Sequence, residues 1–176
     1  MANVRYDDTG KWESARTEKD FAIIAGALPA MVTLAASGYA LFLVSNQPNQ
    51  AKGKASEANH EAIHSRLMAE LAQAVVPLQH AYYCFHHPQA SVKRFLGPCP
   101  CRKPEPFFLF EAARDFGVDL SRSWMVGDRE TDVECGRRAS TSTVRIYDGP
   151  RHSYSTAADY LAPSLAAAAK IICELR

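Results

Sequence analysis

The sequence has almost no net charge. Its 20 basic and 19 acidic side chains leave +1 at pH 7, so its overall field gathers neither nucleic acid nor a membrane surface, and any anion must be held by a local site. It has no internal repeat and no low-complexity linker. It does not open on a positive segment, apolar core and small-residue cleavage site, so no secretory signal is read. Its five cysteines are odd in number and unevenly spaced, which does not fit a secreted disulfide framework. Residues 22–51 lack any charged side chain, a run long enough to cross a bilayer. Gly26, Pro29, Gly38 and the polar Ser45-Asn46-Gln47 interrupt it, so it reads as a buried helix followed by a buried strand.

What is present is an ordinary globular composition, 47% apolar and 22% charged. A chain of 176 residues buries about 70% of the surface its unfolded form exposes. One domain spanning 1–176 is expected, a cytoplasmic enzyme or binding protein with no nucleic-acid or membrane partner. No long apolar surface stripe is left over, which favours a monomer.

The order of patterns predicts alternating helices and strands. The opening is polar and turn-like at Asp7-Asp8-Thr9-Gly10. A helix over Leu28–Ala36 ends at Gly38, and Tyr39–Val44 is a short apolar strand. A helix from about Ser56 carries Ile63, Leu67 and Leu71 on one stripe. Ala81–Tyr83 is the next strand. A loop rich in Cys, His and Pro follows, then a helix over Phe107–Phe116 with Phe110, Ala113 and Phe116 as its apolar face. Trp124–Val126 and Thr143–Tyr147 read as strands, and Pro163–Leu175 as a final helix with Pro163 in its first turn. This alternation implies an α/β fold with a parallel sheet, whose site lies beyond the carboxyl ends of the strands.

Three segments there carry chemistry. Ser45-Asn46-Gln47 offers a hydroxyl and backbone N–H groups to a phosphate. Asp128 and Asp132, four apart after the strand ending at Val126, would lie on one side of a helix starting there. Hard oxygen ligands near water suit Mg²⁺, although Asp128 equally suits an N-cap. Lys103 places an ammonium before a helix, where it can neutralise phosphate charge. Separately, Cys84, His86, Cys99 and Cys101 satisfy a tetrahedral, structural Zn²⁺ and would staple the loop over 84–101 two residues from Lys103. His87 is an alternative ligand or supporting group. His60-Glu61-Ala62-Ile63-His64 fits the H-E-x-x-H pattern of a zinc metalloprotease. It needs a third ligand from elsewhere, and the α/β pattern around it does not suit that reading.

Ser45-Asn46-Gln47, Lys103 and Gly127-Asp128-x-x-x-Asp132 together resemble motifs II, III and IV of the haloacid dehalogenase (HAD) superfamily. The spacing Cys84-x-His86-His87-Pro88 with Cys99-x-Cys101-Arg102-Lys103-Pro104 narrows the resemblance to the branch of histidinol phosphatases and D-glycero-D-manno-heptose-1,7-bisphosphate phosphatases. It runs from about Phe21 to Arg145. What it implies is a HAD-like three-layer Rossmannoid fold and an Mg²⁺-dependent phosphomonoesterase acting on a small phosphorylated substrate, a heptose bisphosphate or histidinol phosphate. Ser45 and the Asn46 backbone would bind the transferring phosphate, and Lys103 would pair with it and with the nucleophile. Asp128 would hold Mg²⁺, with Asp132 supporting it. Asn46, Lys52 and Arg102 would contact the rest of the substrate.

The same resemblance demands a first motif, D-x-D at the end of a central first strand, whose first Asp is the nucleophile. The sequence contains none in that setting. Asp7 and Asp8 are adjacent, so on an extended strand they point to opposite faces and cannot both meet one phosphate. Without that strand, in the order 5-4-1-2-3, the strands at Leu41 and Met125 lose their shared neighbour. The expectation is that the strand and its D-x-D lie upstream of Met1 and that the chain as written is inactive. The alternative is a non-catalytic, phosphate-binding pseudophosphatase. Ser140 stands where relatives have a glycine that takes positive φ, which predicts local strain.

Overall fold

The computed structural model describes residues 4–8, 10–147 and 155–175. Strands β1 (Val4–Tyr6) and β2 (Lys11–Glu13) form an antiparallel hairpin. Helix α1 (Ala27–Ala36) is followed by β3 (Leu41–Asn46), α2 (Glu57–Gln73) and β4 (Leu78–Cys84). Then come α3 (Phe107–Phe116), β5 (Trp124–Gly127), α4 (Glu130–Arg138), β6 (Ser142–Ile146), β7 (Tyr160–Ala162) and α5 (Leu165–Glu174).

The α/β architecture is as expected, with local punctuation where the sequence supplies it. Ser56 caps α2, its hydroxyl accepting from the Asn59 N–H at 3.1 Å. Gly117 closes α3 at φ 67°. Ser140 takes φ 59°, the conformation anticipated for that position. The opening segment is a hairpin rather than only a turn, with Asp7 and Asp8 exposed at its tip. Strand β7 was not anticipated; it is three residues long and stops at Pro163, which lies before the Ser164 N-cap of α5 rather than in its first turn.

The parallel strands form two half-sheets. β3 pairs with β4, and β5 pairs with β6, which pairs with β7. Common neighbours place the halves in one layer. On one face Leu41, Trp124 and Val126 all pack against a cluster of Ala30, Leu34, Ala168, Ala169 and Ile172, where α1 meets α5. On the other, Val44 packs against Leu109 and Cys135 of α3 and α4, and Met125 lies under Gly136 of α4. The layer therefore reads β4-β3, a gap, then β5-β6-β7. No described strand pairs with β3 on its second edge, or with β5 on its own.

The gap changes burial. An apolar strand in a doubly wound sheet is expected to be buried on both faces. Val144 and Thr143 of β6, with a strand on each side, are 0% exposed. No residue of β3 or β5 is buried. The buried strand expected after Tyr39 is thus only half-buried, and among the described residues no strand pairs with its second edge.

The apolar face of α3 also differs from expectation. Leu109 and Ala112 are its buried positions, while Phe110 and Phe116 are half-exposed. Leu109 packs on Cys135 and Ala139 of α4, while Phe116 meets Phe42 of β3 edge-on. The close approach of α4 to β5 and β6 fixes Gly136, where a Cβ would lie 2.6 Å from the Met125 Cβ and 2.8 Å from the Thr143 Cγ2. Gly136→Ala is expected to destabilise the fold by roughly 1–3 kcal/mol through overpacking, read as a lowered urea midpoint with unchanged m-value.

Candidate functional site

The carboxyl ends of β3 and β5 are tied together by one side chain. The Lys103 Nζ donates to the Val44 carbonyl at 2.5 Å and lies 2.8 Å from the Asp132 Oδ1. Both side chains are nearly inaccessible, at 11% and 7%. Val44 belongs to β3 and Asp132 to the first turn of α4 directly after β5, so the ammonium spans the end of the gap. The second Asp132 oxygen accepts from the Arg129 N–H at 3.0 Å, one of the free donors that open α4. A Cβ on Gly127 would lie 2.3 Å from the Asp132 carboxylate, so only glycine lets the aspartate fold back there.

Asn46 fixes the segment that carries Lys103. Its Nδ2 donates to the Lys103 carbonyl and its Oδ1 accepts from the Lys103 N–H, each at 3.1 Å. The sequence suggested a substrate contact for this amide. The structure commits both its ends to the Lys103 peptide. Ser45 projects from the end of β3, and its hydroxyl accepts from the Gln47 Nε2 at 2.9 Å. Asp128 is exposed in the bend between β5 and α4. It precedes the helix, so the two carboxylates do not share a helix face, and Arg129 rather than Asp128 is the N-cap residue.

Lys52 and Arg102 lie on a neighbouring cationic edge. Burial first, and then the charges of Lys52 and Arg102, push the His87 imidazole below the usual range. Arg102 is oriented by a bond from its Nη1 to the His86 carbonyl at 2.9 Å. Asp7 and Asp8 are outside this constellation: the Asp8 carboxylate pairs with Arg16 at 2.8 Å. A group that sequence reading missed is Cys135, fully buried behind the pair on α4, its thiol pushed up to about 11 chiefly by burial. Its type alone carried no signal; only packing places it there.

Cys84, His86, Cys99 and Cys101 converge. Their ligand atoms all lie within 4.8 Å of one another, with sulfur–sulfur distances of 3.2–3.5 Å. No pair is a disulfide. Burial first, and then the neighbouring Cys101 and Cys99 thiols, push the Cys84 thiol up, the opposite of what an isolated reactive cysteine needs. Three thiolates and one imidazole form a closed, soft donor set of the kind that holds a tetrahedral metal ion. Among the described residues no other His, Cys and carboxylate group of this size converges in that way. His60 and His64 do not join one: His64 Nδ1 bonds the Tyr83 hydroxyl at 2.9 Å, and His60 sits edge-on to Tyr83 and Phe85.

The geometry has counterparts in known proteins. A family model of HAD-hydrolase-like proteins matches residues 100–168. The chain is 40% identical over 150 residues to the D-glycero-β-D-manno-heptose-1,7-bisphosphate 7-phosphatase of Salmonella typhi, covering 83% of this chain and 79% of that one. The Escherichia coli K12 enzyme of the same name is 38% identical, covering 84% and 78%. This chain belongs to the HAD-type phosphatase family. In fold it matches a crystal structure of the Bordetella bronchiseptica D,D-heptose 1,7-bisphosphate phosphatase with magnesium and phosphate, at TM-score 0.81 and 23% identity, covering 100% of this chain and 94% of that one. None of the described helices of this HAD phosphatase is long and apolar enough to cross a membrane.

Asn46→Ala leaves the Lys103 N–H and C=O without their partner. It is expected to lower stability by about 1–3 kcal/mol and to broaden the Lys103 backbone resonances. A folded Asn46→Ala variant of unchanged stability and spectrum would contradict the clamp.

Proposed function

We propose that the chain carries the substrate-binding and charge-neutralising part of a phosphomonoesterase acting on D-glycero-D-manno-heptose 1,7-bisphosphate, as a single-domain monomer in the cytoplasm. The observation that carries this reading is the Lys103 ammonium at the strand ends beside Ser45, held by the Val44 carbonyl and Asp132 on a peptide that Asn46 clamps. The named activity of the relatives at 38–40% identity supports the substrate. The Ser45 hydroxyl and the Asn46 N–H would donate to oxygens of the transferring phosphoryl group. Lys103 would neutralise charge that builds on those oxygens. Lys52 and Arg102 would face the rest of the bisphosphate.

The family uses Mg²⁺, and Asp128 is the accessible carboxylate for it. Both oxygens of Asp132 are already engaged, by Lys103 and by the Arg129 N–H. One accessible carboxylate is a poor donor set for a hard cation that keeps only part of its water shell. No catalytic step is therefore assigned to the metal in this chain. Asp7 and Asp8 lie at a hairpin tip and offer no nucleophile at the strand ends. The non-catalytic reading rests on the same absence, with phosphate bound and not turned over.

The 176-residue chain is expected to release no phosphate from heptose 1,7-bisphosphate with Mg²⁺. Joined at its start to an apolar strand ending in Asp-x-Asp, it is expected to release phosphate, and Lys103→Ala in that form to lower kcat by about 10²–10³-fold. Turnover by the unextended chain that Asp7→Asn abolishes would overturn the first expectation. A folded, extended form inactive on all sugar phosphates would leave the binding role. For the thiolate cluster we propose zinc. About one equivalent should co-purify, and Cys99→Ser should lower both metal content and thermal midpoint; a folded, metal-free protein would refute it.

A further inference from the structure

The turn after β3 carries two lysines, Lys52 and Lys54, and they are not equivalent. The Lys54 Nζ lies 2.5 Å from the Glu13 Oε1 at the end of β2, and both side chains are largely covered. The other Glu13 oxygen accepts from the Arg16 Nη2 at 3.0 Å. Arg16 in turn stacks on the Tyr6 ring and pairs with Asp8. Lys54 is thus committed to the hairpin. Among the described residues no carboxylate pairs with Lys52.

The backbone that carries Lys52 is gripped from two sides. Asn49, 6% exposed, donates from Nδ2 to the Ser14 and Ala15 carbonyls at 2.9 and 3.3 Å. The carbonyl of the fully buried Ala51 accepts from the Ser91 and Val92 N–H groups at 2.8 and 3.1 Å. Within the turn, the Lys52 and Lys54 N–H groups donate to the Pro48 and Asn49 carbonyls. Gly53 takes φ 67°, which lets the chain reverse between the two lysines. The hairpin therefore holds the turn at Asn49 and Lys54, and the loop of the thiolate cluster holds it at Ala51. Lys52 stands between these holds, and its charge acts together with that of Arg102 on His87.

We propose that Glu13 is a positioning residue for Lys52: through Lys54 it ties the turn over 48–54 to the hairpin, so that the Lys52 ammonium stands beside Arg102 and holds the phosphate of a bisphosphate that is not transferred. This role rests on the proposed bisphosphate substrate. Lys52 and Arg102 supply two cations for a dianion, and Arg102 is already turned by the His86 carbonyl. Lys54 supplies none, because its ammonium neutralises Glu13. Binding through a turn that is already ordered costs only the ordering of the side chain itself. Glu13 does not touch the substrate; it acts through the turn.

The test is titration calorimetry on the intact chain with two probes, D-glycero-D-manno-heptose 1,7-bisphosphate and inorganic phosphate. Lys52→Met is expected to weaken the bisphosphate about tenfold. Glu13→Gln and Lys54→Met, changed at opposite ends of the ion pair, should each weaken it by about three- to tenfold, with the Kd for inorganic phosphate unchanged within about twofold. In a Lys52→Met background neither should weaken it further, because each acts through that ammonium. Amide exchange over 50–54, read without ligand, should quicken in both variants. Unchanged bisphosphate affinity in Glu13→Gln overturns the proposal. Tighter binding overturns it too, since the released Lys54 would then be the cation that meets the ligand. So does a loss that adds to that of Lys52→Met. An equal loss for both probes also overturns it, as damage to the strand ends rather than to the turn. The underlying reading fails separately, in the unsubstituted chain: bisphosphate bound no more tightly than inorganic phosphate would remove it, and this role of Lys52 with it.

Discussion

The contact on which the rest of the site depends is the Lys103 ammonium between the Val44 carbonyl and the Asp132 carboxylate. Exposed ion pairs on this surface, such as Arg94–Glu57, contribute little, because water screens them and two long side chains must be ordered. The Lys103–Asp132 pair is different in kind. It is nearly dry, each partner has a further hydrogen bond, and removing either leaves an uncompensated charge beside unpaired strand ends. Asn46 holds the lysine's own peptide, and the first turn of α4 holds the aspartate. Geometry at the strand ends is thus set by side chains from three elements far apart in sequence.

The thiolate cluster acts on the same contact from the other side. The segment between Phe85 and Pro100 has few apolar groups to form a core of its own. Its order comes from Cys84 at the end of β4, from His86, and from the two later cysteines. Cys101 stands two residues before Lys103, so whatever fixes the cluster also fixes where Lys103 begins. Arg102 lies between them and is turned by the His86 carbonyl. A closed metal site would therefore affect charge placement at the strand ends without touching a substrate.

Much of this was legible in the sequence, because the relevant signals are local. Gly117 stops α3 where a left-handed residue is needed, Ser56 starts α2, and ligand spacing brings the four cysteine and histidine donors together. Motif spacing placed Ser45, Lys103 and Asp128 at strand ends. The failures are non-local. The amide of Asn46 finds its partner 57 residues away, which no window of sequence contains. The face of α3 was misread because large aromatic rings were taken as its core, whereas Leu109 and Ala112 are buried and Leu109 packs on Cys135 and Ala139 of α4. The burial of β3 was misread because an apolar run reports what a strand would bury, not which neighbours are there to bury it.

That distinction also explains how a layer with a gap holds together. Strand pairing does not cross it, yet helix packing does. Small residues let α1 and α5 approach closely over one face, with Ala30, Ala168 and Ala169 buried. On the other face Val44 of β3 shares a cluster with α3 and α4. The apolar effect is non-directional, so these layers can hold two half-sheets side by side. Backbone hydrogen bonds are directional, and among the described residues no strand pairs with the second edge of β3 or of β5, where Lys103 reaches the Val44 carbonyl.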